Sequence, residues 1–291
     1  MSLALVLVVA RFLLFAAAMQ LFGIAVFVRA IAPPALGSAL GDRLRRLAIA
    51  SLLVAILASL GWLSVTAATM GDGWADAINP AILQAVLADT QFGHAWQLVL
   101  AIIVVLIAGM VGRWRGQWLF VAVLSGIMLA ALGLVGHLAA PPGWPGLMGR
   151  ASQSIHLAAA GFWLGSLLPL ALSLRLTRAE GLHAEVDVAL RRFSGLGHLA
   201  VALVLATGVV NTWIILGRPP TDLASPYELL LVSKIALTLL LVGLALVNRY
   251  VLMPRLAGGG SRYLRRSALV EYAIGALVLA LVAGLGTLQF A

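Results

Sequence analysis

Four histidines fall inside long apolar stretches of this chain: His94, His137, His156 and His198. A fifth, His183, sits among Glu180, Glu185 and Asp187 and reads as a solvated loop residue. Neutral imidazole is the commonest metal-ligating side chain. The chain has no cysteine, which excludes disulfides, thiolate metal sites and a Cys nucleophile. Metal chemistry must then use His, Met or carboxylates, and three imidazoles without thiolate suit copper, zinc or iron. For any one histidine the competing explanation is structural: a ring near a helix end can snorkel to the interface or bond a neighbouring carbonyl.

The elements that carry these residues decide between the two. The sequence is 63% hydrophobic and 10% charged, against roughly 25% charged in soluble domains. It is therefore read as an all-α integral membrane protein. A hydrocarbon core about 30 Å thick needs roughly 20 apolar helical residues. Eight segments qualify, at about 3–28, 47–70, 92–112, 117–139, 152–174, 194–216, 227–252 and 267–290. Turn and charge signals bound them, among them Pro33-Pro34, Gly71-Asp72-Gly73 and Pro219-Pro220. The first segment lacks a basic leader and a cleavage site and is too long for a signal peptide, so it is kept as a span. The whole of 1–291 reads as one transmembrane domain.

Arginines orient the bundle. Arg29, Arg43, Arg45 and Arg46 lie in the first connection, Arg113 and Arg115 in the third, and Arg175, Arg178, Arg191 and Arg192 in the fifth. Arg249, Arg255, Arg262, Arg265 and Arg266 lie in the seventh, whereas the even connections hold only Arg150 and Arg218. Basic residues collect on the cytoplasmic side, so both termini are expected to be periplasmic. This topology accounts for the net charge of +9 without a nucleic-acid partner. It also sets depth: His94, His137 and His156, on three consecutive spans, fall at one level near the outer interface, and His198 falls toward the cytoplasm. Intramembrane ionisable groups are costly and usually mark a ligand site or pathway, so these three are the candidate metal ligands.

Other polar groups share the bilayer. Met70 ends the second span on the outside, and Glu228 and Lys234 lie in the outer part of the seventh. Arg11 and Gln20 lie in the first. A buried cation needs a partner, so Glu228 is expected to pair with Arg11 or Lys234. Glu271 with His198 forms a candidate second site on the inner side, against a plain pairing of Glu271 with Arg266. Gly161 and Gly165 make a GxxxG packing face, and Trp163 lies two turns below His156. Residues 74–90 carry Trp74, Ile78, Ile82, Val86 and Leu87 roughly on one face, as a periplasmic interfacial helix or a plain linker.

Several motifs resemble one family. "SIHLAAAGFWLGSLLPL" at 154–170 is similar to a helix of the copper resistance D (CopD) inner-membrane proteins, with a His, small residues and W-L-G-x-L-x-P-L. "DTQFGHAWQL", "LVGHLAA" and "RRFSGLGHLAVALVLATGVVNTW" resemble its following segments, as do "YELLLVSKIALTLLLVGLALVNRYVLMP" and "LRRSALVEYAIG". The resemblance covers most of the chain and is weakest in the first two spans. It implies a multi-pass protein of the bacterial inner membrane that handles copper, as Cu(I) or Cu(II), and works with a periplasmic CopC-like copper-binding partner. The expected function is a copper permease moving copper from periplasm to cytoplasm, with no enzymatic activity. Two alternatives stay open: a haem-binding redox protein using the same histidines as axial ligands, and a subunit that receives copper without transporting it.

Overall fold

A computed structural model of the chain describes residues 2–135, 143–179, 181–258 and 261–288. All regular structure among them is helical. The helices are α1 (Leu3–Val26), α2 (Pro34–Met70), α3 (Pro80–Asp89), α4 (Gln91–Met110), α5 (Gln117–Leu132), α6 (Gly143–Ala179), α7 (His183–Leu216), α8 (Pro226–Val247) and α9 (Ser261–Leu285). Short π-helical turns, Phe27–Ile31 and Asn248–Leu252, follow α1 and α8.

Seven of these helices are long and apolar enough to cross a membrane. The remaining expected span, 117–139, is described as the 16 residues of α5, about 24 Å at 1.5 Å per residue. Residues 136–139 of that span lie outside the described residues. Three helices are longer than their apolar segments. α2 runs for 37 residues, about 55 Å. The Pro33-Pro34 pair does not merely separate two spans but starts the second, because proline at the first helical position loses no hydrogen bond. α6 and α7, at 37 and 34 residues, likewise carry their arginines on helical extensions.

α1 and α6 form the centre. α1 packs on α2, α5, α6 and α9, and α6 packs on α1, α5, α7 and α9. The contact between them relies on glycine: a Cβ on Gly165 would lie 2.0 Å from the Met19 carbonyl oxygen, and one on Gly23 would lie 2.1 Å from the Gly165 carbonyl carbon. Polar groups stitch the same contact. Gln20 Nε2 donates to the Gly165 carbonyl at 2.8 Å, and Ser166 Oγ to the Gly23 carbonyl at 3.2 Å. The expected packing role of Gly161 and Gly165 is thus realised against α1. Around this centre Trp62 and Trp96 stack α2 on α4, with centroids 4.8 Å apart, and the Trp96 indole N–H donates to the Ser59 carbonyl at 3.2 Å.

Arg11 Nη1 donates to the Gly286 carbonyl at 3.2 Å, which puts the start of α1 and the end of α9 at one face of the bundle. Arg45 Nη2 donates to the Met110 carbonyl at 2.7 Å, and Arg113 pairs with Asp42, at the opposite, arginine-rich face. Residues 74–90 are helical in two pieces, a 3-10 turn at Trp74–Ile78 and α3. Asn79 caps α3 by accepting from the Ala81 N–H at 3.1 Å, and donates to Asp76. The Asp72 N–H donates to Asp76 Oδ2 at 2.6 Å. These bonds stabilise the ionised form and hold the Asp76 carboxyl below the usual carboxylate range. Val86 packs inward, while Trp74 and Ile78 are exposed.

Candidate functional site

His156 sits on α6 facing α7. Its Nδ1 lies 2.8 Å from Thr207 Oγ1. The Thr207 hydroxyl donates its one proton back to the Leu203 carbonyl at 2.5 Å, the i−4 bond that threonine often makes in helices. Oγ1 must then accept from the ring, so Nδ1 carries the His156 proton and Nε2 keeps a lone pair. Fixing one ring nitrogen by a hydrogen bond so that the other is free is how metal-ligating histidines are held. The α6–α7 seam continues outward: Asn211 Nδ2 donates to Gln153 Oε1 at 2.9 Å, and Ser152 Oγ reaches the Thr207 carbonyl at 3.5 Å. Gly208 leaves room for the ring, because a Cβ there would already touch His156 Cε1 at 3.8 Å.

His156 lines a cavity of about 90 Å³ between α1, α6, α7, α8 and α9. Met19, Gln153, Lys234 and Glu271 face it too. Lys234 and Glu271 bring formally opposite charges to the same small space. Among the described residues no carboxylate lies within ion-pair distance of Lys234. A second cavity, of about 290 Å³, lies toward the arginine-rich face and includes His198, Asn248 and Arg249 in its lining. The two cavities share Trp163, Leu167 and Glu271. Glu271 is buried in that dividing wall, where Asn248 Nδ2 donates to its Oε1 and the Trp163 side chain is a further hydrogen-bonding neighbour.

The expected site residues are thus divided. His94 is exposed, and its Nε2 bonds the Ala88 carbonyl at 3.0 Å, the neighbouring-carbonyl role weighed above. His137 lies outside the described residues. Among the described residues no three His, Asp or Glu side chains gather as a metal site. Met70 is exposed at the end of α2. His198 bonds the Ser194 carbonyl through Nδ1 at 2.6 Å and lines the larger cavity.

Three ion-pair expectations are corrected. Glu228 pairs with neither Arg11 nor Lys234. It accepts from Arg218 Nη1 and Nη2 at 3.2 and 2.5 Å and from the Asp222 N–H at 2.9 Å, because the connection before α8 folds back over the helix start. Arg11 needs no carboxylate, since its guanidinium lies 4.9 Å over the Trp62 ring. Glu271 bonds Asn248 rather than pairing with Arg266. Sequence reasoning missed Met19, Thr207 and Asn248. Thr207 and Asn211 share one face of α7 at i, i+4, a polar stripe in an apolar helix that was a readable signal.

Comparison with known proteins places the chain. The family model for the copper resistance protein D-like N-terminal domain matches residues 1–147, and that for copper resistance protein D matches residues 187–285. The chain belongs to the copper resistance protein D family. It is 36% identical to the Escherichia coli "Inner membrane protein YebZ", over 96% of each chain. It is 33% identical to "Copper resistance protein D" of Pseudomonas syringae pv. tomato, over 96% of this chain and 95% of that one. It is 26% identical to "Copper transport protein CutJ" of Bacillus subtilis over 81% of this chain, which corresponds to 44% of that protein. No solved structure matches it. Family membership and seven membrane-crossing helices make it a multi-pass protein of the inner membrane.

Proposed function

We propose that this family member is a copper permease whose ion path runs through the α6–α9 half of the bundle. The observation that carries the reading is His156: its proton is fixed on Nδ1 by Thr207, and its ring lines a buried cavity. The Met19 thioether faces the same cavity, and a soft sulfur beside imidazole favours Cu(I). An ion held there is repelled on the Lys234 side and drawn toward Glu271, in the wall shared with the second cavity. His198 and Asn248 then offer the next polar contacts, toward the arginine-rich face. With that face cytoplasmic and both termini periplasmic, as the arginine distribution implies, this direction is uptake. His94 and His137 are assigned to receiving copper at the outer surface from a CopC-like periplasmic donor.

The test is copper uptake into proteoliposomes together with Cu(I) competition titration on the purified protein. The wild type is expected to bind copper and accumulate it. His156→Ala is expected to lose uptake at least tenfold. Equal binding and uptake by the variant would overturn the site. Binding without uptake by the wild type would leave a copper-receiving subunit. The haem alternative is less well supported, because each described cavity is served by a single histidine. A Soret band lost in His156→Ala would restore it.

A further inference from the structure

The larger cavity has a second property that copper does not use. α7 and α8 meet where Ile215 and Leu216 pack near Tyr227 and Leu231. From there toward the arginine-rich face they make no substantial contact, and α8 rests on α9 instead. The 290 Å³ cavity occupies the resulting cleft. Its side walls include Leu205, Val242 and Leu246, and Leu205 and Leu246 are also exposed on the outside of the bundle. The space is real at the backbone too: a Cβ on Gly197, which lines it, would meet nothing within 4 Å.

The mouth of the cleft is cationic. The π-helical turn Asn248–Leu252 turns Arg249 into the cavity lining. Arg255, Arg262, Arg265 and Arg266 follow in the connection to α9 and its first turns. Among the described residues none of these five guanidiniums forms an ion pair with a carboxylate. Tyr250 and Tyr263, both exposed, flank them as interfacial aromatics do. An apolar slot open to the side of the bundle, with unpaired arginines at headgroup level, is complementary to one component of the bilayer.

We propose that the α7–α8 cleft binds an anionic phospholipid. One acyl chain lies in the slot between α7 and α8, and the phosphodiester is held by Arg249 with the arginines after it. Arginine suits this role because its planar fork donates two parallel hydrogen bonds to a phosphate. The bound chain closes the lateral opening, so the polar groups around Asn248 and Glu271 are shielded from hydrocarbon. The site makes no use of copper, so its failure would leave the permease reading intact, and the converse holds.

The test uses the full chain in neutral detergent. Native mass spectrometry and thermal unfolding are read after addition of phosphatidylglycerol, of phosphatidylcholine with the same acyl chains, or of glycerol phosphate alone. Phosphatidylglycerol is expected to be retained at one molecule per chain and to raise Tm. Phosphatidylcholine is expected to be retained at least fivefold less, and glycerol phosphate to have no effect. Arg249→Gln is expected to lower retention at least fivefold through the headgroup. Gly197→Leu is expected to do the same by filling the slot with every arginine in place. Leucine is also the better helix former, so Gly197→Leu keeps the test decisive if Arg249→Gln fails to fold. Equal retention of the two lipids, unchanged retention in a folded variant, or stabilisation by glycerol phosphate alone would overturn the proposal.

Discussion

At the scale of single residues, the hydroxyl of Thr207 makes His156 more than a core histidine. Thr207→Val keeps the shape of the side chain but leaves the imidazole free to change tautomer. Loss of such a supporting hydrogen bond typically costs about 10–100-fold in metal affinity. A drop of that size in Cu(I) competition titrations is expected for Thr207→Val, with unchanged helicity. His94→Ala is expected to keep the wild-type affinity, since its ring is engaged with the Ala88 carbonyl. A second residue-scale expectation concerns pH. Asp76 has its folded pKa below the unfolded value, so its contribution is present above the unfolded pKa, about 3.9. It is lost as pH falls through the folded value. Asp76→Asn should therefore speed amide exchange across residues 72–79 at pH 7, and the difference from wild type should vanish in strong acid.

At the scale of elements, the same sequence was readable in some places and opaque in others for physical reasons. Apolar runs and proline pairs located every helix that crosses the bilayer, because a span is a one-dimensional property of composition. The helical extensions were missed: residues 34–46 and 183–193 are too polar for hydrocarbon, yet they continue a helix already begun inside it. Depth was legible for the histidines, but direction around the helix was not. His94 and His156 share a level, yet one faces outward and the other a cavity. Glu228 was misassigned because Arg218 was counted only as a loop charge, and the fold-back that joins them is set by tertiary structure. The α1–α6 contact makes a sharper element-level prediction. Gly165→Ala places a Cβ against backbone that cannot rotate away. Overpacking of this kind costs about 1–3 kcal/mol, and a clear fall in Tm in detergent should measure it. Gly197→Ala, at an open position, should be neutral or stabilising.

At the scale of the whole molecule, the bundle is unevenly consolidated. In its most apolar stretch 72% of α6 is buried, against 11% for α8. α6 also lies largely between the two segments that the family models match, so the helix that carries His156 is the pillar joining them. Orientation can be tested without background, because the chain has no cysteine. Single cysteines at Asp72 and at Arg43 should respond oppositely to a membrane-impermeant thiol reagent on intact cells. Asp72→Cys should label from outside and Arg43→Cys only after lysis; the reverse pattern would invert the direction proposed for copper.

The π-helical turn at Asn248–Leu252 has a consequence for how such a bundle can change over time. A π turn holds one residue more than the α-helical turn it replaces. It works as a phase shifter: deleting a single residue there would return the helix to regular winding and rotate all that follows by about 100°. Asn248 would leave Glu271, and Arg249 would leave the cavity, while the apolar face of α8 before the turn stayed in place. One residue of chain length at this point thus sets the angular register between a helix that faces lipid and the polar groups that follow it. Insertions and deletions tolerated elsewhere in the connection to α9 should be rejected here.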